Sequence, residues 1–147
     1  MKRIGLVGCV KEKSYFSRNA CDLYTSTLFK GRRLYVEASC TEWWILSAKH
    51  GLVHPEERLS PYDFTLKEAS KEKCREWSRG VLEEIDKRVA PSAGDIFEIH
   101  AGIDYRHFGL ADGITGRECL VVTPTEGMSI GKQLRFYKEK NRLPNEY

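Results

Sequence analysis

The segment Ser60-Pro61-Tyr62-Asp63-Phe64 sets a phenol beside a carboxylate, behind a proline that stiffens the chain and presents the pair in a fixed arrangement. Tyr62 offers a ring on which a planar base stacks. Asp63 offers a negative charge that orients a sugar, or stabilises the positive charge growing at an anomeric carbon as an N-glycosidic bond breaks. The same carboxylate is equally suited to capping a helix that begins near Lys67. His50 and His100 each follow an apolar run directly, where a neutral imidazole assists a leaving base or anchors a loop. Asp63, His50 and His100 are the candidate catalytic residues.

Phosphate binding falls to Gly127-Met128-Ser129-Ile130-Gly131-Lys132. Ser129 caps a following helix, Gly127 and Gly131 let backbone donors approach an anion, and Lys132 adds charge. Gly8 and Cys9 close the first apolar run, with Lys11 and Lys13 just beyond. The lysines favour an anion and make Cys9 a conceivable nucleophile, although a cysteine at a strand end is also a small buried hydrophobe. Further substrate contacts are expected from Ser47 and Lys49, from Gly102 and Tyr105, and from Asp22 and Tyr24, where a helix would put Asp22 and Ser26 on one face. No metal or cofactor is expected, because two histidines without a carboxylate at ligand spacing make a poor metal site. Neither a P-loop nor a Gly-x-Gly-x-x-Gly after the first apolar run is present, which counts against a mononucleotide kinase and an ordinary dinucleotide enzyme.

Something must bring these segments together. Arg3 to Cys9 reads as a first strand buried on both faces, Trp43 to Ser47 as a second, Asp95 to Ala101 as a third and Glu118 to Thr123 as a fourth. Helices are expected from Asn19 to Phe29, from Arg32 to Ser39 after an interruption at Gly31, from Leu66 to Val89, from Ile103 to Leu110 and from Ile130 to Asn141. Residues 48–65, with Gly51, Pro55 and Pro61, read as a long functional loop. Strands alternating with helices predict an α/β three-layer sandwich, a four-stranded parallel sheet of order 2-1-3-4 with helices on both faces. Ligands of such sheets bind beyond the carboxyl ends of the strands, where every candidate segment begins.

At 147 residues the chain suits one domain, 1–147, and 41% hydrophobic with 31% charged residues excludes both a disordered chain and a membrane protein. No apolar run approaches a membrane span, so no membrane partner and a cytoplasmic location are expected. Five scattered cysteines without a Cys-x-x-Cys pair read as reduced thiols. The net charge of +3 is unevenly placed, with five cations against one acid in both 1–18 and 132–142. If the two ends meet, they form a basic surface suited to phosphate.

Gly8-Cys9 with Lys13, Asp22-Leu23-Tyr24 with Ser26 and Phe29, Leu46-Ser47-Ala48 with Gly51-Leu52, Pro61-Tyr62-Asp63, Ala101-Gly102 with Tyr105, and Pro124 with Gly127 together span nearly the whole chain. In this set the sequence resembles a small family related to the peroxide-stress protein YaaA. It departs from that family's pattern with His50 where a tyrosine is common, and it is too short for the helix-hairpin-helix DNA-binding element. The resemblance extends to the wider group of uracil-DNA-glycosylase-like folds, which includes a domain of archaeosine synthase. It implies a parallel sheet and the handling of a nucleotide or nucleic-acid base. The expected function is therefore N-glycosidic bond cleavage or exchange, with DNA as a further partner. The alternatives are a non-catalytic nucleotide-binding module of a stress response and a DNA-binding protein that uses its basic termini.

Overall fold

The computed structural model describes residues 1–8, 13 and 17–142. Ile4, Leu6 and Val7 leave the first apolar run no polar side, and it forms strand β1 (Arg3–Gly8), buried from Ile4 onward. Next come a two-residue strand β2 (Arg18–Asn19), a single turn α1 (Ala20–Leu23), helix α2 (Thr27–Ser39) and strand β3 (Glu42–Ser47). Strands β4 (Gly51–Val53) and β5 (Arg58–Leu59) are followed by α3 (Lys71–Glu84), β6 (Ile96–His100), α4 (Ile103–Arg106), α5 (Leu110–Thr115), β7 (Leu120–Val122) and α6 (Ile130–Lys140).

The main sheet has five strands in the order β4-β3-β1-β6-β7. β3, β1, β6 and β7 run parallel, whereas β4 is antiparallel to β3. The expected four-stranded, wholly parallel sheet is therefore corrected. The four parallel strands stand in the order 2-1-3-4, but an antiparallel fifth lies at their edge. Gly51 adopts a φ of 72°, a left-handed conformation that suits glycine, and the chain reverses there so that Gly51, Leu52 and Val53 fold back on Ser47, Leu46 and Ile45. Residues 48–65 are accordingly not a structure-free loop, since β5 also pairs with β2 in a small antiparallel ribbon.

Registers assign the sheet's faces. Ile4, Leu6, Trp44, Leu46, Phe97 and Ile99 share one face, and Gly5, Val7, Ile45, Glu98 and His100 the other. α2 lies on the second face, against Gly5, where an added Cβ would come 2.8 Å from Val36. α6 packs beside α2 over His100, and α3 covers the opposite face together with α5.

Two helix expectations change for physical reasons. The chain turns at 24–26, where the Ser26 hydroxyl accepts the Phe29 N–H at 3.0 Å and caps α2, so Asp22 and Ser26 do not share a helix face. α2 then runs straight through Gly31. That residue marks where α6 crosses rather than where a helix stops, because a Cβ there would lie 2.8 Å from the Tyr137 Cβ. The expected helix from Leu66 to Val89 is divided: a 3₁₀ turn at Leu66–Glu68, a new cap at Ser70, then α3 and a wider final turn over Ile85–Val89. Among the described residues no helix is long and apolar enough to cross a membrane.

Candidate functional site

Ser47 ends β3 fully buried, and its hydroxyl lies 2.7 Å from the Tyr62 hydroxyl, which in turn lies 2.6 Å from that of Tyr24. The Ser47 oxygen also accepts the His50 backbone N–H at 3.0 Å, and the His50 ring stands edge-on to Tyr62 with centroids 5.4 Å apart. The ammonium of Lys13 sits 4.4 Å from the centre of the Tyr62 ring, and that of Lys49 sits 6.0 Å away. The Tyr62 ring thus faces two ammonium groups while its hydroxyl stands between those of Ser47 and Tyr24. The Trp77 indole N–H donates to the Ser47 carbonyl at 2.8 Å, and Trp77 meets Tyr105 edge-on at 5.2 Å.

Tyr105 leads into a cleft of about 450 Å³ beyond the strand ends, lined also by Gly102, Thr65, Arg32, Ile130 and Gln133. Its walls come from the segment after β6, the turn before α3, the first half of α2 and the start of α6. Ser129 caps α6 by accepting the Lys132 N–H at 3.3 Å. Gly127 has a φ of 78°, and Gly127, Gly131 and Lys132 are exposed.

Asp22, Asp63, His50 and Gly8 are not among the residues that line that cleft. Asp22 is an exposed carboxylate paired with Arg33 at 3.0 Å. Asp63 is exposed and is no helix cap, because Thr65 takes that role by accepting the Lys67 N–H at 3.1 Å. Its neighbours Tyr62 and Thr65 both belong to the site. His50 is exposed, and partial loss of hydration around its ring, with the charge of Lys49, holds it below the ordinary histidine value. The Gly8 carbonyl accepts from Arg32 at 3.2 Å. Cys9 and Lys11 lie outside the described residues. Of the amino-terminal cations, Lys2 and Arg3 sit at the amino ends of the strands and pair with Glu42 and Glu98, away from Lys13 beside Tyr62.

His100 does not open on the cleft. It is 0% exposed, with Nε2 2.6 Å from Glu98 Oε1 and Nδ1 2.6 Å from the Tyr137 hydroxyl, while Arg3 Nε donates to Glu98 Oε2 at 2.7 Å. Burial holds His100 below the ordinary histidine value despite the attraction of Glu98. Burial works against the Glu98 charge too, but hydrogen bonds from His100 and Arg3 outweigh it and hold the carboxyl below its usual range. The pair is thus a neutral imidazole donating to a carboxylate. Arg32, Glu98, Gln133 and Tyr137 were not among the candidates read from the sequence. The spacing of Glu98 and His100, two apart in an apolar strand, was the usable signal, because it puts both on one face.

Both depressed groups bind fewer protons folded than unfolded, so their contribution to stability is complete above the unfolded values and shrinks on acidification. The loss is expected to begin as pH falls through 6.5, the unfolded value for His100, and to resume below 4.5, that for Glu98. Thermal melts from pH 8 to 4 check this, with His50→Gln as control because His50 titrates in the same direction. His100→Gln should lose the first stage. Stability that rises between pH 7 and 5.5 would contradict a neutral His100.

Among the described residues no group of three or more histidines, cysteines and carboxylates is placed to hold a metal ion. Residues 4–139 match a family of unknown function, DUF6884. The chain belongs to that family. No curated protein and no solved structure matches it. The cleft and the Tyr62 cluster both lie within the part of the chain that DUF6884 spans.

Proposed function

We propose that this DUF6884 member processes a nucleotide or nucleic-acid base, breaking or exchanging an N-glycosidic bond in the manner its resemblance to the YaaA-related group implies. The observation that carries this reading is convergence: Ser47, Tyr62, Tyr105 and the start of α6, far apart in sequence, form one continuous rim beyond the strand ends. In the reaction water adds to the anomeric carbon and gives up one proton, while the base leaves with the bonding electron pair and takes up one proton, so that sugar hydroxyl and free base are the products. Asp63, exposed and next to Tyr62 in the chain, stabilises the positive charge on the sugar. His50, as a neutral imidazole, hydrogen-bonds the leaving base, and the Ser129-capped start of α6 with Lys132 faces phosphate. His100 takes no catalytic part, because both ring nitrogens are engaged in the interior.

That sealed histidine also favours a second reading, a nucleotide-binding module without turnover. Assays of free-base release from nucleotides and from DNA separate the two. Asp63→Asn should reduce base release by about 10²-fold or more, the scale for removing one charge-stabilising group. Release equal to that of the unaltered protein rejects the role of Asp63, and thermal stabilisation by a nucleotide without release supports the binding module.

A further inference from the structure

The charges of α6 are segregated. Lys132, Arg135 and Lys138 recur every three residues and are all exposed, so they form one row along the helix, with Arg142 exposed just past its end. From Lys132 to Arg142 the row spans on the order of 15 Å at 1.5 Å per residue. Glu139 is the one acid among residues 130–142. By contrast α3, which covers the sheet's other face, balances four cations, Lys71, Lys73, Arg75 and Arg79, with four acids.

Beside the row a groove of about 530 Å³ runs between α2 and α6. Gly31, Leu34 and Leu134 line it, with Lys30 from α2 and Arg135 and Lys138 from α6. A neighbouring hollow shares Arg135 and Lys138 and adds Glu139 and Arg142. Among the described residues none of these five charged groups is in an ion pair. The other α2 cations are placed differently, since Arg32 is 5% exposed and Arg33 pairs with Asp22 and Glu37.

Helix stability alone does not account for this pattern. Lys138 and Lys140, in the last turn of α6, complement its dipole. Lys30 and Lys132 oppose theirs: they are the fourth residue of α2 and the third of α6, and neither first turn carries an acid. Cations therefore stand near the positive ends of both helices, an arrangement that an anion relieves. A mononucleotide brings one phosphate group, too little to answer a row of this length, whereas a strand repeats the phosphate along it. An amphipathic peptide helix would need a continuous apolar floor, and this groove offers two leucines. Among the described residues Tyr137 is the one aromatic side chain lining the groove, and it is 2% exposed, so a strand is held by its backbone and not by stacked bases. α2 and α6 also supply Leu28, Ile130 and Gln133 to the cleft, so groove and cleft share two walls.

We infer that the face between α2 and α6 holds the phosphate backbone of a single nucleic-acid strand whose base enters the cleft, so that the substrate is a polymer and not a free nucleotide. The choice of a single strand rests on the base-processing reading above, because a base must leave its stack to enter a cleft. Fluorescence anisotropy of the full chain with a labelled mixed-sequence single-stranded DNA tests it, with the duplex, polyglutamate and phosphatidylglycerol vesicles as competitors. The single strand should bind several-fold more tightly than any of the three, and its log K should fall linearly with log salt, by about 0.7 for each phosphate neutralised. Replacing Lys30, Arg135, Lys138 and Arg142 together by glutamine should weaken binding about tenfold or more and take about 0.7 from that slope for each cation removed. The same replacement of Lys71, Lys73, Arg75 and Arg79 on α3 should leave affinity within about twofold. Affinity and slope unchanged in the first fourfold variant overturn the inference, as does a duplex, polyglutamate or vesicle that binds as tightly as the single strand. Should that variant not fold, Arg135→Gln and Lys138→Gln decide singly, and a slope unchanged in both refutes the assignment. Strand binding through this face without base release would sink the glycosidase reading alone, and base release from the strand with an unaltered KM in the fourfold variant would sink this one alone.

Discussion

Replacing Glu98 with alanine is expected to remove about 3–5 kcal/mol of stability, the usual cost of deleting one partner of a buried ion pair. The side chain is 0% exposed and accepts from Arg3 Nε at 2.7 Å and His100 Nε2 at 2.6 Å, with longer bonds from the Ser39 hydroxyl at 3.4 Å and the Cys40 thiol at 3.8 Å. Without it His100 keeps a buried N–H with no acceptor, and Arg3 loses its carboxylate. For a chain of this size the melting temperature should fall by roughly 10 °C or more. Glu98→Gln should cost less, because an amide oxygen still accepts from His100 while its NH₂ confronts the Arg3 donor. Denaturant titration of Glu98→Ala, His100→Ala and the double variant checks the network. Single losses that add to the double loss would show that the two residues act independently, as would a Glu98→Ala loss below about 1 kcal/mol.

Gly8→Ala is expected to destabilise by about 2–3 kcal/mol, near the top of the ordinary range for overpacking. A Cβ at that position would lie 2.6 Å from the Ala101 Cβ and 3.0 Å from the Ala101 Cα, so β1 and the end of β6 must separate. The Gly8 carbonyl would move with the strand and loosen the Arg32 fork. Exchanging the methyl group, Gly8→Ala with Ala101→Gly, should recover most of the loss, short of about 0.5–1 kcal/mol for the glycine placed at 101. Equilibrium unfolding of the two single variants and the double variant measures this. A double variant no more stable than Gly8→Ala would place the strain elsewhere.

The parallel strands were legible because each is an apolar run ending in small residues, a pattern that survives without knowledge of its neighbours. Strand β4 was not, since three residues after Lys49-His50 carry no alternation and Gly51 reads as a loop signal until the partner strand is known. Gly31 misled for a related reason: a glycine in a helical pattern suggests a stop, and only the approach of Tyr137 gives it another purpose. The rim around Ser47, Tyr62 and Tyr105 was legible from strand-end chemistry. Arg32 was invisible, because a basic residue on a helix is ordinarily solvated and nothing beside it in sequence announces burial. His100 was noticed for its chemistry, but its position on the covered face followed from Glu98, whose carboxylate inside an apolar strand was the clue that went unused.

Gly31 ties one helix of this chain to the ring of another. Glycine in mid-helix costs about 1 kcal/mol relative to alanine, so random drift would readily replace it with a better helix former. Any such replacement pushes on Tyr137, and Tyr137 touches both His100 and Arg32. Tolerance at this site is governed by a ring on another helix, and a silent-looking surface change there would be felt in the pocket.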